Sequence, residues 1–95
     1  MSLETLTGKY IESAEKVFKE LQKTETAVTV SEAGTDQVLK WALDYLEDAK
    51  YYKAQGKFET SLTSVAYCEG LLDALRLLGA VKFEWPTSQE KRKLS

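Results

Sequence analysis

A chain of 95 residues, 43% hydrophobic and 29% charged, is long enough for one modest core and too short for two. It has no histidine and a single cysteine, Cys68, which removes the usual acid–base residue, the commonest transition-metal ligand and any internal disulfide. The net charge of −2 divides into +2 over residues 87–95 and −4 over residues 1–86, and so acidic a body is a poor match for phosphate backbones; no nucleic acid is expected as a partner.

No apolar run approaches the roughly 18 residues of a membrane span, and Glu4 and Lys9 stand where a signal peptide needs its apolar stretch. With the lone cysteine, this predicts no membrane partner and a cytoplasmic location.

Leu3, Leu6, Tyr10, Ala14, Val17 and Leu21 recur at helical spacing, with Ile11 and Phe18 widening the stripe. Ser2 is placed to cap this helix, and Glu12–Lys16 and Glu15–Lys19 are favourable pairs on its polar face. Residues 24–35 interrupt the pattern. Val28, Thr29 and Val30 favour extended backbone and Gly34 supplies a turn, so the segment reads as a plain connector.

A second helix is expected from a cap at Thr35 or Asp36 to about Ala54, with Val38, Trp41, Ala42, Tyr45, Ala49 and Tyr52 on its inner face. Gln55-Gly56-Lys57 makes a tight turn, which forces the next helix to run antiparallel. That third helix ends at Gly79. Val81, Phe83 and Trp85 then alternate with Lys82 and Glu84 as an extended segment closed by Pro86.

The third helix contradicts itself. Wound at about 100° per residue, its first half is apolar on one face, through Phe58, Leu62, Val65 and Ala66. The same azimuth then acquires Glu69, Asp73 and Arg76, while Leu71, Leu72, Leu75, Leu77 and Leu78 surround the second half. A helix on one small core needs one stripe, so Tyr67, Leu71, Ala74 and Leu78 read as a second contact surface. Five extended residues span at most about 17 Å, so Val81–Trp85 folding back can reach Leu78 and Ala74 but hardly Tyr67. The expected cover is therefore a second copy, in a two-fold homodimer through the third helix with Phe83 and Trp85 at its edge.

Candidate chemistry is thin. Asp48 on the second helix faces a hairpin partner bearing Glu69 and Asp73, and several acids on adjacent helices can hold Mg²⁺ or Mn²⁺. That makes a metal-dependent or nucleotide-handling enzyme the alternative reading. Against it, Asp44 and Glu47 wind outward, and the carboxylate-bridged di-iron pattern requires histidines that the chain lacks. No catalytic residue, cofactor or metal is assigned. Cys68 shares the azimuth of Val65 and Leu72 and reads as a small core residue, since no base is present to activate a thiol. Gly70, between Ala66 and Ala74, costs helix stability and is consistent with close approach of another backbone.

The run Tyr45, Asp48, Ala49, Tyr51 before Gly56, and the run Tyr67, Glu69, Gly70, Leu72, Asp73, Ala74 after it, resemble an archaeal family known as domain of unknown function 357. The resemblance covers about half the chain. It implies a three-helix up-and-down bundle and an archaeal cytoplasmic source, and it supplies no activity, ligand or catalytic residue. Some relatives stand beside a nucleotidyltransferase-like domain, which this chain does not contain; the resemblance thus brings in a nucleotidyltransferase-like protein as a partner.

The expectation is an all-α fold: a three-helix up-and-down bundle over residues 1–86, with helices near 3–23, 36–54 and 57–79. A short extended C-terminal segment follows the third helix, and residues 87–95 form a polar, flexible tail. Function is expected to be protein–protein interaction, self-association first, rather than catalysis.

Overall fold

The computed structural model describes residues 2–24 and 28–94, and its secondary structure is four helices with no strand among them. α1 spans Leu3–Glu20, α2 Glu32–Ala54, α3 Phe58–Leu77 and the short α4 Ser88–Leu94. Each boundary has a local cause. The Ser2 hydroxyl accepts from the Thr5 N–H at 3.0 Å, and Glu4 in the first turn and Lys19 in the last suit the helix dipole.

α2 begins four or five residues earlier than a cap at Thr35 or Asp36 requires, because Ser31 is the cap. Its hydroxyl accepts from the Gly34 N–H at 3.0 Å, and a Cβ on Gly34 would stand 3.0 Å from that same oxygen. Gly34 therefore serves inside the first helical turn rather than in the loop. Val28 and Val30 are exposed, as a plain connector implies. Residues 25–27 of that connector lie outside the described residues.

α2 and α3 close with the same device. Gly56 and Gly79 both adopt positive φ, 75° and 78°. The Lys57 N–H reaches Tyr52 O at 2.9 Å and Gly56 N–H reaches Lys53 O at 3.0 Å; Ala80 to Leu75 and Gly79 to Arg76 repeat the arrangement. These are Schellman closures, which satisfy the last helical carbonyls and need a residue free to go left-handed.

α2 and α3 pack as an antiparallel hairpin, the only pair of helices among the described residues that pack together. Its seam is made of small residues, Ala42 and Ala49 against Cys68, with Leu75 completing the buried set. The Ser61 hydroxyl donates to the Ala49 carbonyl at 2.6 Å and Tyr45 stacks on Tyr67 at 4.4 Å, so the register runs 49 beside 61 and 45 beside 67. Trp41, expected on the inner face of α2, is instead 49% exposed. The narrow Ala–Ala–Cys seam brings the backbones close and leaves large side chains at its edges.

α1 is formed but not packed. Leu3, Tyr10, Ile11, Val17, Phe18 and Leu21 are all exposed, Phe18 at 78%. Between α1 and the N-terminal half of α3 lies an open groove of about 840 Å³. Beyond Pro86 the tail carries α4, opened by Thr87, whose hydroxyl accepts from the Glu90 N–H at 3.1 Å and donates to the Glu90 carboxylate at 3.2 Å.

Candidate interaction surface

The two flanks of the hairpin seam are treated differently. On one flank, the segment after Gly79 folds back along α3. Phe83 and Trp85 meet edge to face at 4.8 Å, the Arg76 guanidinium lies 5.8 Å from the Phe83 ring centre, and the Trp85 indole N–H donates to the Asp73 carboxylate at 3.1 Å. Arg76 donates to the same oxygen through Nε at 3.1 Å and Nη2 at 2.9 Å. One carboxylate oxygen thus gathers an indole and a guanidinium. These bonds, the indole first and then the guanidinium, hold the Asp73 carboxyl below the usual carboxylate range. This tuck explains two of the polar residues that interrupt the apolar azimuth of α3, Asp73 and Arg76.

The other flank has no such cover. Tyr67 is 50% exposed and Leu78 66%, Ala74 is exposed, and Leu71 is half-buried. The register sets Trp41 beside Leu71, so the flank continues onto α2 through Tyr45 and Trp41. These two α2 residues line the surface flank although periodicity places them on the inner face; the signal available in the sequence is their size, too large for an Ala–Ala–Cys seam. The structure therefore brings Tyr67, Leu71, Ala74 and Leu78 onto one side of α3. Phe83 and Trp85 lie on the side of Asp73 and Arg76, in the self-tuck, half-buried rather than beside Tyr67.

No close approach among the described residues explains Gly70: a Cβ there would meet nothing within 4 Å beyond the helix's own backbone. Ala66, Gly70 and Ala74 are all exposed.

Asp48, Glu69 and Asp73 are not gathered. Among the described residues no three acidic, histidine or cysteine side chains are grouped to hold a metal ion. Asp73 is committed to Arg76 and Trp85, and Asp44 and Glu47 pair with Lys40 and Lys50 at 3.3 Å each in the open. Cys68 is buried in the seam. Burial first, and then the Glu69 charge, push its thiol above the ordinary value, which disfavours the nucleophilic thiolate. No helix among the described residues is long and apolar enough to cross a membrane.

The fold and surface define a class first: an all-α chain built on a small-residue helical hairpin, with one flank closed by its own C-terminal segment and the other left apolar and open. The chain belongs to the family described as protein of unknown function, DUF357, whose match covers residues 9–81. That span takes in most of α1, both hairpin helices and the chain as far as Val81. No curated protein and no solved structure matches the chain.

Proposed function

We propose that the chain is a non-enzymatic interaction module that self-associates, with the flank formed by Trp41, Tyr45, Tyr67, Leu71 and Leu78 as its contact and a second copy as its partner. The observation that carries this reading is surface out of proportion to mass. The chain exposes 8509 Å², whereas a compact monomer of this size exposes about 5,500 Å². Its radius of gyration is 16.3 Å, against about 12 Å for a compact domain of this length. Such a surplus of exposed apolar side chains is what an obligate partner removes.

Leu71→Glu tests the reading by placing a charge in the middle of the flank. Light scattering should report a mass near that of one chain, with circular dichroism still showing the helical hairpin. Because Leu71 is half-buried, Leu78→Glu at a more exposed position serves as the second variant and should shift the mass in the same direction. A wild-type protein that stays monomeric at high concentration contradicts the reading.

A further inference from the structure

We propose that residues 81–85 pair edge to edge with the same residues of a second copy, as a two-stranded antiparallel ribbon centred on Phe83. This rests on the self-association reading and adds a contact outside the open flank. The segment has the form of a strand without a sheet. Val81, Phe83 and Trp85 are half-buried while Lys82 and Glu84 between them are exposed, the period-two alternation of extended backbone. Phe83 and Trp85, two residues apart, meet on one side at 4.8 Å, as that alternation requires. With its apolar side laid on α3, such a segment points its backbone N–H and carbonyl groups sideways.

Those groups are unused. The Ala80 N–H is committed to the Leu75 carbonyl, and no hydrogen bond among the described residues engages a backbone N–H or carbonyl of residues 81–85. No strand among the described residues is present to engage them. An open edge of this kind is a template for a further strand. The two edges differ. Backbone groups alternate in direction along a strand, so Val81, Phe83 and Trp85 serve one edge and Lys82, Glu84 and Pro86 the other. Pro86 has no N–H to donate, which leaves the first edge as the complete one.

Charge selects the occupant. Lysine on an open edge ordinarily keeps a second copy away. Here Lys82 and Glu84 stand symmetrically about Phe83, and neither makes an ion pair among the described residues. Antiparallel pairing centred on Phe83 sets Lys82 of each copy opposite Glu84 of the other, a favourable cross-strand pair. The same register puts Val81 opposite Trp85, and Phe83 opposite its own counterpart, on the apolar side. A slip by two residues in one direction sets lysine against lysine, and in the other glutamate against glutamate. The charges therefore fix the register as well as the partner. The two-fold brings together the C-terminal ends of the two α3 helices, where Leu77 and Leu78 are 74% and 66% exposed. Ribbon and open flank then serve one dimer.

The test uses two full-length variants in a Cys68→Ala background, one with Lys82→Cys and the other with Glu84→Cys. In the proposed register these positions lie opposite each other, about 4.5 Å apart between Cα atoms, which a disulfide spans. Like positions lie diagonally, more than about 7 Å apart, which it does not. Mixed and oxidised in a glutathione buffer, the two variants should yield a covalent dimer of one chain of each kind. As a second measurement, Lys82→Glu should weaken association in light scattering, and Lys82→Glu with Glu84→Lys should restore it. Like–like disulfides as abundant as mixed ones, no covalent dimer, or no restoration by the double exchange overturns the ribbon; if light scattering of the unmodified chain still reports a dimer, self-association stands. An unmodified chain that is monomeric overturns both and leaves the edge to an extended segment of another protein.

Discussion

α1 and α3 make opposite use of their sequences. α1 has the cleaner pattern, one apolar stripe backed by charged residues, and none of its described residues is buried. α3 has the confused pattern, with leucines on most sides of its second half, and it is the helix that holds the structure together. It meets α2 on one side and the Phe83–Trp85 segment on another, and the third side is open. The contrast shows that amphipathicity measures how badly a helix needs a partner, while several apolar azimuths on one helix count how many partners it serves.

The largest effect expected from this contrast lies in the seam. Leu75 is 3% exposed, and Leu75→Ala should cost about 2–5 kcal/mol in chemical denaturation, because the cavity it leaves cannot collapse between close backbones. If that substitution were as mild as a surface change, α3 would not be the organising helix.

Next comes the closed flank. Asp73→Ala removes the acceptor shared by Trp85 and Arg76, so the Trp85 fluorescence, read in a Trp41→Phe background, should shift to the red while helix content holds. The pH dependence has a definite sign. The folded-state pKa of Asp73 lies below its unfolded value, so the stabilisation it brings is present above the ordinary carboxylate pKa of about 3.9. It is lost as pH falls through the depressed folded value. The Trp85 indole N–H resonance should therefore be unchanged from neutral pH down to that range and move only below it.

The smallest effect is the sharpest about the open flank. Among the described residues, the helix's own nearby backbone aside, nothing lies within 4 Å of a Cβ at Gly8 or Gly70, so in a single chain alanine at either site should add helix stability of up to about 1 kcal/mol. At Gly70 the prediction reverses if another chain lies against that side of α3. Gly70→Ala should then weaken association while leaving the hairpin intact. Equal gains at both glycines would show that nothing lies against α3 there.

Much of this was legible in the residues. The Gln55-Gly56-Lys57 turn, the stop at Gly79 and the second stripe on α3 all follow from rules that act within a few residues. The Ser31 cap was harder to read, because glycine at position 34 signals a loop unless one sees that its missing Cβ makes room for the cap hydroxyl. Trp41 and Tyr45 looked like core because periodicity reports a face but not the width of the seam, which Ala42, Ala49 and Cys68 set. The destination of Trp85 depended on a contact twelve residues away, with Asp73, that no local pattern encodes. Periodicity also cannot say whether a stripe is covered by its own chain or by another.

Sedimentation velocity of the unmodified protein over a wide concentration range tests the central claim most directly. The account predicts a species of twice the 10.7 kDa chain mass that persists on dilution, with a frictional ratio more compact than one chain with a splayed α1 would give. A single species at the mass of one chain across the whole range, with α1 still exposed, would contradict it.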